Sequence, residues 1–160
     1  MEVDVRTIAA LQMALLLGAC APLQPAGPAR AAPAAAVTEA EAFMAGYARD
    51  LLSGDRAAIA GRYDRRGAYR MGNGVKEFMP YPQIVSQYAT DWGGPPAAFE
   101  WQDLSYEPIT ADAVAVVGKF RWTPRSGRPP LTLSYTGLLV RQDGELRIRI
   151  EDESMPLPKP

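Results

Sequence analysis

The segment from Leu131 to Ser154 reads LTLSYTGLLVRQDGELRIRIEDES and carries the clearest structural pattern in the chain. At its centre, Asp143-Gly144 is a residue pair that favours a two-residue turn between antiparallel strands. Such a turn places Gln142 opposite Glu145, and each further step adds one cross-strand pair. This register predicts that one face of the hairpin carries Leu133, Tyr135, Gly137, Leu139, Leu146, Ile148, Ile150 and, at its end, Asp152. Because this face is mostly apolar, we expect other elements of the chain to cover it.

Upstream of the hairpin, helical and strand patterns alternate with turn residues. Thr38 and Glu41 have the spacing of a capping box, which predicts a helix that begins at Thr38 and ends at Ser53-Gly54. The other predicted elements are helices over 56–63 and from Pro82, strands over 67–71, 99–106 and 113–123, and a loop over 76–81. The sequence thus predicts one α+β domain over residues 37–154.

Three helices followed by antiparallel strands resemble the nuclear transport factor 2-like fold, whose relatives include ketosteroid isomerase and the SnoaL-like polyketide cyclases. The local resemblance is greatest at Tyr135–Leu139, Asp143–Ile148 and Ser154. Leu146 and Asp152 depart from it, because a Trp and a His are common at these two places in the family. The resemblance implies a cone in which a curved sheet wraps around a helix and encloses a pocket. The 76–81 loop would then be a lid or a plug of that pocket.

Composition excludes several classes of function. The chain has 160 residues, 17 Lys and Arg, 18 Asp and Glu, no His and one Cys. A balanced net charge of −1 gives no basic field for nucleic acid. Without His there is no His-dependent catalytic triad, and the single Cys20 cannot form an internal disulfide or a structural zinc site. We therefore expect neither a metal nor another cofactor.

The first 36 residues read as a targeting segment and a linker. Residues 8–19 form an apolar run with the length of a signal-peptide core, too short to span a bilayer. Leu17-Gly18-Ala19-Cys20 resembles the lipobox of bacterial lipoproteins, which implies a signal peptide over 1–19 and lipidation of Cys20. Residues 20–36 are rich in Ala and Pro, as expected of an extended tether, and residues 155–160 form a Pro-rich tail.

This segment predicts a protein of the bacterial cell envelope. The expected location is the periplasm, with a lipid anchor at Cys20. The family pattern implies the outer membrane, because Ala21 stands where an Asp would signal retention in the inner membrane. The alternative is an ordinary signal peptide that is cleaved after Ala31 or Ala36, which would give a secreted protein.

Candidate site residues follow from the expected cone. Asp152 is a carboxylate on the apolar face, where burial would raise its pKa and suit it to act as a general base. The alternative is a solvated carboxylate at the rim, as the acidic run over 151–153 favours. The expected pocket lining is Tyr63, Tyr69, Met71, Trp92, Trp101, Phe120, Trp122, Tyr135 and Ile150, although each of these also suits an ordinary core.

Three functions are compatible with these residues. The first is a binding domain that holds a small apolar ligand or a partner segment in the cone. The second is an isomerase, cyclase or hydratase that uses Asp152 as the base and Tyr69 as a hydrogen-bond donor. The third is an assembly module that forms a homodimer through the mixed outer face of the sheet, which includes Leu138.

Overall fold

A computed structural model describes residues 33–155. Its helices are α1 (Pro33–Ser53), α2 (Arg56–Gly61) and α3 (Tyr81–Thr90). Its strands are β1 (Ala68–Gly72), β2 (Val75–Met79), β3 (Ala98–Thr110), β4 (Ala113–Thr123), β5 (Leu131–Gln142) and β6 (Glu145–Ser154). None of the helices in this part of the chain is long and apolar enough to cross a membrane.

The six strands form one mixed sheet in the order β2-β1-β6-β5-β4-β3. All neighbouring strands are antiparallel except β1 and β6, which run parallel. The helices cover one face of the sheet, which we call the inner face. Side chains of α1 such as Met44 and Tyr47 meet Val116 and Phe120 of β4 in one hydrophobic core. The expected α+β architecture is confirmed.

Helix α1 begins five residues before the predicted capping box. The Thr38 hydroxyl donates a hydrogen bond to the Ala34 carbonyl oxygen inside the helix, at 3.2 Å, so Thr38 is not the N-cap. Pro33 stands in the first turn, where its fixed φ is tolerated, and the alanines that follow are good helix formers. The predicted start at Thr38 is therefore wrong, and residues 33–36 are helical rather than part of an extended tether.

Residues 75–79 form a strand, so the predicted loop over 76–81 is wrong. Asn73 and Gly74 have φ angles of 49° and 84°. Positive φ at both central residues is the requirement of the tight hairpin turn that joins β1 to β2. Four of the five residues of β2 are exposed. Its sequence therefore lacks the alternation of apolar and polar residues by which a half-buried strand is recognised.

The closing hairpin contains a β-bulge that changes which residues face the core. The predicted turn and the first pairs are confirmed, including Leu139 opposite Ile148. Arg149 is then an extra residue in β6, because the next pair joins Leu138 to Ile150. Beyond the bulge, Gly137 pairs with Glu151 and Tyr135 pairs with Glu153. The predicted pairs Gly137–Ile150 and Tyr135–Asp152 are therefore wrong by one residue.

Contacts from the neighbouring hairpin hold the bulge in place. The Arg149 guanidinium donates a hydrogen bond to the Gly67 carbonyl oxygen at 2.6 Å. It also lies 5.6 Å from the ring centres of Tyr69 and Phe78. On the inner face, Gly137 leaves room for the Tyr135 ring, because a Cβ at residue 137 would lie 2.7 Å from the Tyr135 hydroxyl.

Gly67 is a backbone position that only glycine fits. Its φ is 98°, and an added Cβ would lie 2.5 Å from the Met79 carbonyl oxygen. We expect Gly67→Ala to lower the free energy of unfolding by about 2–4 kcal/mol, measured by urea denaturation. Gly74→Ala is the matched control, since Gly74 has a φ of 84° but no atom within 4 Å of the added Cβ. Gly74→Ala should lower the free energy of unfolding by only about 1 kcal/mol. Equal losses in the two variants would contradict a steric clash at residue 67.

Candidate functional site

A cavity of about 370 Å³ lies between the helices and the inner face of the sheet. Its wall is largely aromatic and includes Trp92, Phe99, Phe120 and Trp122. Phe99 and Phe120 stack with ring centres 5.3 Å apart, and the Trp122 ring meets Phe99 edge-on at 6.2 Å. The polar side chains Arg70, Gln87 and Glu153 also line the cavity. The site is thus an apolar space with a small group of polar atoms that can orient a bound molecule.

A buried carboxyl group, Glu151, organises the tyrosines beside this cavity. Its side chain is 2% exposed. The Tyr63 hydroxyl donates a hydrogen bond to Glu151 Oε2 at 2.5 Å, and the Tyr47 hydroxyl donates to Oε1 at 3.3 Å. The Tyr63 oxygen also lies 2.9 Å from the Tyr88 hydroxyl and 3.0 Å from the Tyr47 hydroxyl. Tyr47 and Tyr88 line the cavity, so the network joins Glu151 to the ligand space.

The number of hydroxyl protons determines the direction of the hydrogen bonds in this network. A tyrosine hydroxyl has one proton to donate. The Tyr63 hydroxyl donates its single proton to Glu151 when that carboxyl group is ionised. Toward Tyr88, the Tyr63 oxygen can therefore act only as a hydrogen-bond acceptor. Burial raises the pKa of Tyr88 to about 12, and the negative charge of Glu151 adds to the rise. Tyr88 therefore stays protonated near neutral pH, and its oxygen can accept a hydrogen bond from the cavity.

Arg70 supplies the positive charge next to the two inner carboxyl groups. Its Nε lies 3.9 Å from Glu151 Oε2, and its Nη1 donates a hydrogen bond to Gln87 on α3. Burial raises the pKa of Glu151, while the charge of Arg70 and the hydrogen bond from Tyr63 lower it. The net direction is upward, so desolvation outweighs the attraction to Arg70.

Two carboxyl groups line the cavity, the exposed Asp91 at its rim and Glu153 further in on β6. Burial raises the pKa of Glu153 to about 8, and the negative charge of Glu151 adds to the rise, while Arg70 opposes it. Among residues 33–155, no side chain donates a hydrogen bond to the Glu153 carboxyl. A carboxyl group with a pKa near neutrality can either give or take a proton, which is the property that general acid–base chemistry needs. No group of three acidic or sulfur side chains suitable for a metal ion occurs in the same residues.

Comparison with solved structures identifies the fold. A nuclear transport factor 2-like protein of unknown function from Shewanella oneidensis MR-1 superposes with a TM-score of 0.65 at 15% identity, over 74% of this chain and 98% of that one. The chain has the nuclear transport factor 2-like fold. A second such protein of unknown function, from Pseudomonas putida KT2440, gives a TM-score of 0.65 at 16% identity, over 78% and 89% of the two chains.

An enzyme is also among the structures with this fold that resemble the chain. A type 2 hexachlorocyclohexane dehydrochlorinase superposes with a TM-score of 0.60 at 13% identity, over 78% of this chain and 87% of that one. No protein-family model and no curated protein sequence matches the chain. At these identities the likeness concerns the fold alone, so the chemistry of the site depends on the residues of this chain.

The nuclear transport factor 2-like cone brings together only part of the expected pocket. Trp92, Phe120 and Trp122 line the cavity. Tyr63 and Tyr135 are buried behind its wall, at 0% and 1% exposure. Trp101 packs against the same core, where its indole N–H donates a hydrogen bond to the Met44 carbonyl oxygen at 2.9 Å.

Three further expected lining residues lie on the outer face of the sheet, away from this cavity. Ile150 is on the outer face because of the bulge, where it pairs with Leu138. Tyr69 and Met71 lie beside Ile150 and Asp152 in the parallel pairing of β1 with β6, which places their side chains on the same outer face. The Tyr69 ring packs there on Phe78, with ring centres 5.1 Å apart.

The expected catalytic carboxylate, Asp152, also lies on the outer face. Its Oδ1 accepts a hydrogen bond from the Ser154 hydroxyl at 2.6 Å, and it does not line the cavity. Its neighbours Glu151 and Glu153 occupy the inner positions instead. An enzymatic role for Asp152, with Tyr69 as donor, is therefore not supported by its position.

Arg70, Tyr47, Tyr88 and the two inner glutamates were missed by sequence reasoning. Tyr47 and Tyr88 follow the helical spacing of apolar core residues, so their hydroxyl groups had no visible partner. The signal for the glutamates was their period of two in Glu151-Asp152-Glu153, which shows that they share one face. The bulge then decides which face that is.

Proposed function

We propose that the protein binds a small, largely apolar molecule with a ring system in the cone cavity. The observation that carries this proposal is the pairing of an aromatic wall with a compact polar end. Trp92, Phe120 and Trp122 offer flat apolar surface, while Arg70 and Glu153 offer a donor and a titratable carboxyl group. A volume of about 370 Å³ lies within the ordinary range for ligand cavities and accommodates two or three fused rings.

Titration calorimetry with 1-tetralone, a neutral bicyclic ketone, tests this proposal. Leu133 lines the cavity from β5, so Leu133→Trp should fill part of the space and weaken binding at least about tenfold. Thr132→Trp is the matched control, because Thr132 is the next residue of the same strand and is exposed on the outer face. Equal binding by wild type and Leu133→Trp, or no binding of tetralone at all, would contradict binding of such molecules in the cavity.

A second candidate function is proton transfer to and from the bound molecule. The observation that favours it is Glu153, a cavity carboxyl group whose pKa is raised to about 8 by burial and by Glu151. In this hypothesis the ionised Glu153 takes a proton from the carbon next to a carbonyl group. The resulting enolate oxygen accepts a hydrogen bond from Arg70, and the proton then returns to the same or another carbon. Such a step is an isomerisation or, with loss of a leaving group, an elimination.

Deuterium exchange at C2 of 1-tetralone in D₂O, followed by NMR, measures this step directly. We expect Glu153→Gln to lower the protein-dependent exchange rate by at least about 100-fold, because an amide cannot serve as a general base. Asp152→Asn makes the same change of charge at the next residue on the outer face and should leave the rate unchanged. Since the base is the ionised form, the wild-type rate should rise through a pKa of about 8. Exchange that survives in Glu153→Gln would reject this residue as the base.

Location and assembly remain predictions. The lipid anchor at Cys20 and the cell-envelope location rest on residues outside the described range of 33–155. We propose them on the pattern of residues 8–20 alone, and a mass spectrum of the protein purified from its host membranes would test the acyl group. A homodimer through the outer face would place Leu138 at its interface, and Leu138→Glu should then halve the mass in solution.

A further inference from the structure

A second depression lies beside the cavity, and we call it the outer groove. It has a volume of about 420 Å³ and lies between the residues that follow α3 and those that follow β4. Its walls include Trp92, Pro95, Pro96, Trp122, Pro124 and Arg125. Trp92 and Trp122 also line the cavity, so the two spaces are adjacent and meet at these two rings.

The outer groove has a rigid apolar wall. Three of its lining residues are prolines, which have no N–H group and a fixed φ, so at these positions the backbone offers no donor and little flexibility. The Arg56 guanidinium lies 5.8 Å from the centre of the Trp92 ring and donates a hydrogen bond to the Trp92 carbonyl oxygen at 3.2 Å. Two more hydrogen bonds of 2.7 Å join Arg56 to the end of α3. The Trp92 side of the groove is therefore fixed before any ligand arrives.

Arg125 gives the groove its charge. Its Nε donates a hydrogen bond to the Pro95 carbonyl oxygen at 3.1 Å, which fixes the guanidinium across the groove. Its terminal nitrogens make no hydrogen bond or ion pair with another side chain of residues 33–155. Asp91 is an exposed carboxylate that lines the adjacent cavity. An acidic group would be repelled by Asp91 and attracted by Arg125, so it belongs at the outer end.

We infer that the ligand is an elongated amphiphile with an acidic outer end. Its ring system would occupy the cavity, a short apolar linker would pass between Trp92 and Trp122, and a carboxylate or another singly charged acid would pair with Arg125. This inference rests on the proposed binding function and adds the shape and charge of the ligand. It also assigns Arg125 as a residue that determines specificity without taking part in proton transfer.

Two fluorescent probes that differ only in the outer group test the inference. They are 4-(9-anthracenyl)butanoic acid and 4-(9-anthracenyl)butan-1-ol, which carry three fused rings. Binding is measured by fluorescence anisotropy at low ionic strength, because an exposed pair is weakened by salt. We expect the wild type to bind the acid about fivefold more tightly than the alcohol, as one solvent-exposed ion pair allows. Arg125→Ala should remove this preference without changing the affinity for the alcohol. Arg121→Ala is the matched control, since Arg121 is exposed on the outer face of β4.

The outcomes separate this inference from the proposed function. If tetralone binds and Leu133→Trp weakens its binding, but neither anthracene probe binds, the inference of an elongated ligand is overturned while the binding function stands. Equal affinities for the acid and the alcohol, or a preference that survives in Arg125→Ala, overturn the role of Arg125. If Leu133→Trp leaves the affinity for all three compounds unchanged, the cavity is not the binding site and both proposals fail.

Discussion

Glu153→Gln is expected to make the protein more stable than wild type at pH 9, by about 1–2 kcal/mol in the free energy of unfolding. The difference should shrink as the pH falls and vanish near pH 5. The physical reason is that burial and the charge of Glu151 raise the pKa of Glu153 to about 8 in the folded protein, above its ordinary value of 4.5. The measurement is urea denaturation at several pH values between 5 and 9.

The sign follows from proton linkage. A carboxyl group with a raised pKa binds its proton more tightly in the folded state than in the unfolded state. Between about pH 4.5 and 8, folding therefore takes up a proton, and the stability of the wild type falls as the pH rises through this window. Glutamine is neutral at every pH and avoids this loss. The full difference of pKa would give a larger effect, which partial solvent access to the cavity reduces.

Asp152→Asn is the control for this experiment. It removes the same formal charge one residue away, on the outer face, where the carboxylate accepts a hydrogen bond from Ser154. We expect its effect on stability to stay within about 0.5 kcal/mol at all pH values. If Glu153→Gln and wild type instead gave parallel profiles, Glu153 would be ionised in the folded protein throughout the range, and its use as a proton donor at neutral pH would be rejected.

Short-range signals in the sequence were sufficient for most of the fold. The Asp143-Gly144 turn, the helical stripes and the Gly-rich stops each depend on neighbouring residues, and the elements they predicted are present in the structure. The predicted start of α1 was wrong because the Thr38–Glu41 pattern, which has the spacing of a capping box, lies inside a longer helix. Strand β2 was missed because it is an exposed edge strand with little apolar alternation.

The site was harder to predict because one long-range feature controls it. The bulge at Arg149 is held by Gly67, Tyr69 and Phe78, which are distant in the sequence. No pattern in the residues near Arg149 indicates these contacts. A register shift of one residue then moves every side chain beyond it to the opposite face of the sheet. As a result, Asp152 faces outward and Glu153 faces the cavity. The aromatic wall was less sensitive, since Phe120 and Trp122 belong to a strand without this shift.

Single-residue deletions in β6 test the bulge directly. Deletion of Arg149 should leave a cooperative fold, with a loss of about 1–3 kcal/mol from its hydrogen bond and ring contacts. Removing the extra residue leaves Leu139–Ile148 and Leu138–Ile150 as consecutive regular pairs, so all inner side chains keep their faces. Deletion of Arg147 should abolish cooperative unfolding, because Leu146 and Ile148 would become adjacent and could not both face the core. Circular dichroism and urea denaturation distinguish the two variants.

A combination of the deletion with the carboxyl variants shows which residues face the cavity. In the background without Arg149, Glu153→Gln should still stabilise the protein at pH 9 and Asp152→Asn should still have little effect. This result is expected because the pairing of Tyr135 with Glu153 lies beyond the bulge and does not depend on the extra residue. If the strand instead slipped by one residue, the pH-dependent gain would move from Glu153→Gln to Asp152→Asn. That exchange of roles would mean that Arg149 itself sets the register, and that the pairs beyond the bulge do not hold Glu153 on the inner face without it.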